Sequence, residues 1–181
     1  MHKKPDITAV TTLARSRLFH IEQVDLRFSN GREVQFERLQ SHSSEAVVII
    51  PIDGDDLILI REYAAGTERY ELGFPKGSID AGEDPLTACD RELREETGFA
   101  ARDIKPLRRI VMSPAYFNHA SHIILARDLY SAPLPGDEPE PLEQVRWPLR
   151  RMWELPQLEE FSDARNHLAL YLLGDETGVQ K

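Results

Sequence analysis

Three glutamates, Glu92, Glu95 and Glu96, are spaced so that a helix would place their carboxylates on one face. Like charges at this spacing repel, at a cost of roughly 0.2–0.5 kcal/mol per neighbouring pair. The cluster therefore indicates a counter-cation, and clustered carboxylates favour Mg2+, with Mn2+ as a possible substitute. The alternative is a solvated charged face in which Arg91 and Arg94 supply the partners.

The helix that must carry these glutamates is predicted from Pro85 to Thr97. Asp84 precedes a proline that the first helical turn tolerates, and Gly98 follows as a typical C-terminal stop. An apolar stripe at helical spacing would anchor this helix to a core, and it consists of Leu86, Cys89 and Leu93.

The segment from Gly77 to Phe99 reads GSIDAGEDPLTACDRELREETGF and fills every fixed position of the pattern G-x5-E-x7-R-E-U-x-E-E-x-G-U. It resembles the signature of the Nudix hydrolases, which cleave a nucleoside diphosphate joined to another group. The resemblance implies that Glu92, Glu96 and the backbone carbonyl of Lys76 are metal ligands. It also implies that Glu95 binds a further metal or orients the catalytic water. By the same resemblance, Arg91 pairs with a carboxylate of the signature and Glu83 holds the preceding loop to the helix.

The flanking segments resemble the ADP-ribose pyrophosphatase branch, and most closely its ADP-compounds hydrolase subgroup. They are IREYAAGTERYELGFPKG, a Ser113-Pro114 loop, GDEPEP and QVRWPL. That subgroup acts on ADP-ribose, diadenosine triphosphate and NADH, so the resemblance implies hydrolysis of such small nucleoside diphosphate derivatives with release of AMP. In the branch, an N-terminal arm swaps across a homodimer and lines the partner's site. By that analogy Arg17 and Phe19 would contact phosphate and adenine, the alternatives being solvation and core packing.

Two departures leave the substrate class open. Ala64 stands where the branch commonly has an arginine, and the GFPKG segment at 73–77 is more similar to dinucleoside polyphosphate hydrolases, as is Tyr116. A dinucleoside polyphosphate hydrolase is therefore an alternative. A non-catalytic, nucleotide-binding Nudix module is a further one, although such modules usually lose a glutamate that this chain keeps.

The remaining candidates lie outside the signature. The acidic loop GDEPEP could supply a general base, Glu138, and an added metal contact, Glu140, or it could be a solubilising loop stiffened by prolines. Arg38 and Arg61 could grip phosphates by paired hydrogen bonds, or form surface salt bridges.

The surrounding pattern predicts an α+β fold. Alternating or continuous apolar runs predict strands at 18–28, 33–39, 46–52, 57–63, 106–112, 122–128 and 145–147, with a closing helix at 163–173. Asn30-Gly31 predicts a hairpin. The pattern fits a mixed sheet between helical layers, and the resemblance implies the same architecture, a Nudix-type α/β/α sandwich (45–181). The first residues (1–44) are expected to form an antiparallel β-hairpin arm, which by the same resemblance would mediate homodimerisation.

The net charge and the apolar runs of the chain indicate which classes of binding partner are expected. A formal net charge of -9 argues against nucleic acid as the main partner, because phosphate backbones require basic patches. No apolar run approaches the roughly 18 residues of a membrane span, and the N-terminal MHKKPDIT lacks the apolar core of a signal peptide. The expected location is the cytoplasm, with no membrane partner.

Overall fold

The chain forms two compact units. The computed structural model describes residues 3–41 and 45–180. The first unit, the arm, contains the residues up to Glu45 together with Ile110–Ser121. The second, the core unit, contains Ala46–Arg109 and the chain from His122 onward.

The arm is a three-stranded antiparallel sheet in the order β1-β2-β3. Its strands are β1 (Asp6–Arg15), β2 (Phe19–Arg27) and β3 (Glu33–Ser41). The predicted hairpin between β2 and β3 is confirmed, and Gly31 turns it with φ 82°. β1 was not predicted, because register shifts at Ile7/Ala9 and Thr12/Ala14 interrupt the two-residue period on which strand prediction depends.

The arm sheet has one apolar face. Cross-strand partners share a face, so the strand pairing places two apolar rows side by side: Ile7–Leu26–Val34 and Val10–Val24–Phe36. The opposite face is polar, with the row Thr11–Gln23–Glu37. Ile7, Val10 and Phe36 are 51%, 47% and 45% exposed, so the single chain leaves much of this apolar face open to water.

The core unit is built on a second sheet. Its strands are β4 (Glu45–Asp53), β5 (Asp56–Ala64), β6 (Arg69–Gly73), β7 (Lys76–Ser78), β8 (Phe99–Val111), β9 (Ala120–Ser131) and β10 (Glu143–Pro148). Neighbouring strands follow the order β10-β5-β4-β9-β8, with β6 paired to β5 and β7 paired to β4. All seven strands that were predicted along the chain are therefore present, most of them longer than the sequence pattern indicated.

The central strand β4 is buried on both faces. Val47 and Ile49 point to the side where the helix α1 (Pro85–Thr97) packs, and they share a cluster there with Cys89 and Leu93. Val48 and Ile50, which must point the opposite way, are also fully buried. Covering on both faces is what a sandwich of layers requires, and it explains the continuous apolar run of β4.

The two predicted helices are confirmed. α1 spans Pro85–Thr97, as predicted, and Gly98 ends it with φ 74°. α2 spans Ala164–Thr177, one turn longer than predicted, and Asp163 caps its N-terminus. Within the described residues, no helix is long and apolar enough to cross a membrane.

Three short elements were missed. β6 and β7 contain five and three residues, which is too short for an alternating pattern to emerge. A 3-10 helix, Leu149–Gln157, follows β10 and contains Pro156, a residue that counts against a helix in any sequence pattern.

Asp84→Ala should lower the free energy of unfolding by about 1 kcal/mol, because α1 would lose its N-cap. The Asp84 carboxylate accepts hydrogen bonds from the backbone N–H groups of Leu86 and Thr87, at 2.9 and 3.3 Å. Chemical denaturation measures the effect. Asp84→Asn, which preserves a capping oxygen, is the matched control, and an equal loss in both variants would contradict the capping role.

Candidate active site

The face of α1 that carries the three glutamates is largely withdrawn from water. Glu92 and Glu96 are only 8% and 6% exposed, and Glu95 is half-buried. Leu93, between them in sequence, points into the core, so the same turn of helix anchors the carboxylates and presents them. Carboxylates at this depth need partners, because a buried unpaired charge is strongly unfavourable.

The backbone of β7 supplies some of the hydrogen-bond partners that these buried carboxylates need. The N–H of Lys76 donates to Glu96 Oε2 at 2.8 Å. The next residue, Gly77, lies so close to Glu92 that a Cβ at position 77 would overlap the carboxylate. Glycine is therefore required here by close approach of the backbone to a charged side chain.

Arg91 supplies further hydrogen-bond partners for the glutamates. Its Nη1 donates to Glu92 at 2.7 Å and to Glu95 at 3.0 Å. Its Nε and Nη2 grip Glu83 at 3.0 and 2.9 Å, which holds the pKa of that carboxyl below its usual range. Glu83 also accepts from the backbone N–H of Asp80 at 3.0 Å. The arginine thus ties the loop before α1 to the glutamate face.

Burial dominates the proton affinity of the two inner glutamates. It raises the pKa of Glu96 to about 8, with Glu92 and Glu62 adding to the shift and Lys76 opposing it. Burial also raises the pKa of Glu92, against the opposing effect of Arg91. In the absence of a bound cation, both inner carboxyls therefore hold a proton more tightly than a glutamate in water.

A cavity of about 420 Å3, the carboxylate cavity, opens over this face. It brings together the predicted residues Lys76, Glu92, Glu95, Glu96 and Glu138. Seven carboxylates and two cations line it, so its charge is strongly negative. Three of those carboxylates were not predicted: Glu62, Asp80 and Asp137.

The donor set fits a hard divalent cation. In the described residues, no three His, Cys, Asp or Glu side chains already converge as metal ligands. Arg91 donates to oxygens of Glu92 and Glu95. Arg94, the other partner considered from the sequence, instead bonds Asp90 and the carbonyl of Ala132. Oxygen donors of one helix face, left with excess negative charge, match the preference of Mg2+ for a few carboxylates.

The acidic loop lies against the same face. Glu138 and Glu140 line a neighbouring cavity of about 290 Å3 together with Glu95 and Glu96. The hydroxyl of Tyr70, on β6, donates to Glu140 at 2.5 Å, and this bond raises the pKa of the tyrosine. Glu138 of the loop therefore lines the carboxylate cavity, while Glu140 is held by Tyr70.

Arg61 does not line the carboxylate cavity. Successive side chains of a strand point to opposite faces, so Glu62 faces the cavity while Arg61 points away. The guanidinium of Arg61 bonds Glu160 at 2.9 Å and Glu143 at 2.6 Å. In the structure Arg61 therefore forms salt bridges, which was one of the two predicted roles. Its contact with a substrate phosphate stays a prediction.

Three other predicted substrate contacts belong to the arm. Arg38 pairs with Glu22 at 2.8 Å across β2 and β3. Arg17 and Phe19 line a cavity of about 330 Å3 at the turn between β1 and β2, and Phe19 is 50% exposed. Their roles at a partner's site stay predictions.

The unpredicted cavity residues had weak signals in the sequence. Glu62 follows Arg61 on β5, and alternation places the two side chains on opposite faces, but which of them faces the cavity depends on how β5 pairs in the sheet. Asp137 lies in the acidic loop, where several carboxylates compete for the same role.

The complete signature, folded as one carboxylate-lined cavity, places this chain among the Nudix hydrolases. The NUDIX domain family matches residues 42–169, which is well over half of the chain, and a NudE-type Nudix hydrolase N-terminal domain matches residues 5–38. The chain belongs to the Nudix family, whose members generally use divalent metal ions.

Relatives of known function agree with this assignment. The ADP compounds hydrolase NudE of Escherichia coli (strain K12) is 54% identical over 94% of this chain and 92% of its own length. An ADP-ribose pyrophosphatase of Bacillus subtilis (strain 168) is 26% identical over 93% and 95%. A crystal structure of an ADP compounds hydrolase superposes with a TM-score of 0.92 at 51% identity, covering 99% of both chains. The predicted fold and enzyme class are thereby confirmed.

Gly77→Ala should lower turnover by about a hundredfold or more while leaving the fold intact, because a displacement of about 1 Å at reacting groups can cost that much. The new methyl group would displace the Glu92 carboxylate. Steady-state hydrolysis of a nucleoside diphosphate derivative measures the turnover, and a thermal melt shows whether the fold is intact.

Gly66→Ala is the matched control for this substitution, because a Cβ there meets nothing within 4 Å. Normal turnover in Gly77→Ala, or equal losses in the two variants, would contradict the role of close approach at Gly77.

Proposed function

We propose that this protein hydrolyses the diphosphate linkage of ADP-containing compounds in a Mg2+-dependent reaction and releases AMP. The observation that carries the proposal is the convergence of the signature glutamates on one cavity lined by seven carboxylates. The similarity to the Escherichia coli ADP compounds hydrolase NudE over nearly the whole chain supports the ADP unit as the shared part of the substrates. ADP-ribose, diadenosine triphosphate and NADH are the compounds proposed.

The chain's own residues divide the work at the diphosphate. Glu92, Glu96 and the Lys76 carbonyl would hold Mg2+, with Glu95 and Glu140 as further contacts. Bound there, a divalent cation polarises phosphoryl oxygens and lowers the pKa of coordinated water. Arg91 fixes the orientation of Glu92 and Glu95 through its two Nη1 contacts, at 2.7 and 3.0 Å.

The attacking water needs a proton acceptor. Glu138 lines both the carboxylate cavity and the neighbouring one, so its side chain can reach the space above the diphosphate. Glu95 lines the same two cavities and is the alternative position for orienting the water. We assign Glu138 as the general base, because a loop residue can approach when the substrate binds and withdraw for product release.

Hydrolysis of ADP-ribose should stop when the divalent metal is chelated with EDTA and return when Mg2+ is added in excess.

Glu96→Gln should lower turnover by at least about a hundredfold, since even outer-shell changes at metal sites cost about 10–100-fold. AMP release, followed by chromatography over ADP-ribose, NADH, diadenosine triphosphate and diadenosine tetraphosphate, is the measurement.

Glu154→Gln is the control for this substitution, because Glu154 is exposed and pairs only locally with Arg151, at 2.6 Å. AMP release without divalent metal, or near-normal turnover in Glu96→Gln, would overturn the metal assignment. A preference for diadenosine tetraphosphate over all three ADP compounds would favour the dinucleoside polyphosphate alternative.

We further propose that the protein is a homodimer formed through the arm and acts in the cytoplasm. The apolar face of the arm supports the dimer, because Ile7, Val10 and Phe36 lie half-exposed in adjacent rows of one sheet. Exposed apolar patches rimmed by polar groups mark contact surfaces. The single cysteine, Cys89, is free and buried, as expected in a reducing compartment.

The wild-type protein should show twice the chain mass of 20.7 kDa in light scattering after gel filtration. Val10→Glu should shift it toward the monomer, because an unpaired carboxylate in an apolar interface costs several kcal/mol. Thr11→Glu places the same charge on the polar face of the same strand and should leave the mass unchanged. A monomeric wild type, or a Val10→Glu dimer as stable as the Thr11→Glu dimer, would overturn the proposal.

A further inference from the structure

A second cavity adjoins the carboxylate cavity, and the proposed mechanism does not use it. It has a volume of about 230 Å3 and lies between the end of β5, β6 and the start of α2. Glu62 and Lys76 line both cavities. The two cavities are therefore neighbours, so a ligand that lies over the glutamate face has the second cavity beside it.

The entrance between the cavities is marked by an ion pair. Lys76 Nζ lies 2.6 Å from Glu62 Oε2. Arg91 forms salt bridges with Glu83, Glu92 and Glu95, whereas among the described residues Lys76, the other cation of the cavity, forms a salt bridge with Glu62 alone. Its ammonium can exchange Glu62 for a phosphate oxygen, because a flexible stem and three donors allow it to turn.

The walls of the second cavity suit an uncharged group. Ile60, Ala64 and Leu72 supply apolar surface. The charged groups on its walls are engaged with one another or with neighbours: Arg165 with Asp163 at 2.5 Å, Glu71 with Arg69 at 2.8 Å, and Lys76 with Glu62. A charged ligand group would have to break one of these pairs, whereas a neutral group need not.

A buried amide gives this cavity a polar anchor. Asn166 is 3% exposed, and its Oδ1 accepts from the backbone N–H of Phe74 at 3.2 Å. It packs against Gly73 so closely that a Cβ at position 73 would overlap the amide. A carboxamide has two donors and further acceptor capacity, so this fixed group can hydrogen-bond the hydroxyls of a sugar.

The size of the cavity limits what it can take. Typical ligand pockets measure about 300–1,000 Å3, so 230 Å3 accommodates part of a ligand and not a whole dinucleotide. Ile60, Glu62 and Ala64 alternate along β5, which directs the side chain of residue 64 to the same face as Glu62. An alanine at this position leaves space that a larger side chain would fill.

We propose that the second cavity is the subsite for a ribosyl end group of the substrate and that Ala64 determines its size. This inference rests on the proposed function, because it requires the diphosphate to lie over the glutamate face. Lys76 would then contact the phosphate at the junction between the two cavities.

Ala64→Leu tests the proposal by filling the cavity. The KM for ADP-ribose should rise about tenfold, as expected when a pocket loses room for a ligand group, with kcat within about twofold of the wild type. Competitive inhibition by inorganic pyrophosphate, measured with divalent metal in excess, should be unchanged, because pyrophosphate has no ribose. Ala64→Val should give a smaller rise in KM, and it serves as the test if the leucine variant unfolds early in a thermal melt.

Ala65→Leu is the matched control, because the neighbouring Ala65 is exposed and does not line the cavity. Unchanged KM in both Ala64 variants, or equal weakening of ADP-ribose and pyrophosphate, would overturn the subsite while leaving the hydrolase assignment intact. Titration calorimetry with ADP-ribose separates the two proposals. A wild type that binds but does not cleave would contradict the function only. A wild type that neither binds nor cleaves would overturn both.

Discussion

Negative charge held out of water is the constraint on which the rest of this structure depends. Glu92 and Glu96 are almost fully buried, so each needs a donor that cannot drift away. Arg91 provides one from the same helix, and the N–H of Lys76 provides another from a strand that is itself paired to β4. The two inner glutamates are therefore tied to the central sheet through their donors.

The need for fixed donors explains why the three-residue strand β7 lies against the glutamate face of α1. Its residues must bring backbone, not side chains, against the glutamate face, and Gly77 allows the closest approach. Pairing of Gly77 with Val47 fixes the strand on β4, whose other contacts include α1. Strand, glycine and helix thus form one closed arrangement, in which shifting any member would separate the carboxylates from their donors.

The sequence was most informative where a local rule was sufficient. The limits of α1 followed from Pro85 and Gly98, and the arm hairpin followed from Asn30-Gly31. It was least informative where the outcome depended on pairing: bulges concealed β1, and only the pairing of β5 shows that Glu62 and not Arg61 faces the cavity. The partners of Arg61, Glu143 and Glu160, are 82 and 99 residues away in sequence, so no local pattern could indicate them.

The position of the only cysteine has a practical consequence. Cys89 lies on the core-facing side of α1, in a cluster with Val47 and Ile49 and with no exposed surface, and burial raises the pKa of its thiol to about 12. Thiolate is the reactive form, so reagents that modify exposed cysteines will pass over the native one. A cysteine introduced on the acidic loop would therefore accept a fluorescent or spin label selectively, and the response of this loop to added substrate could be measured in an otherwise natural chain.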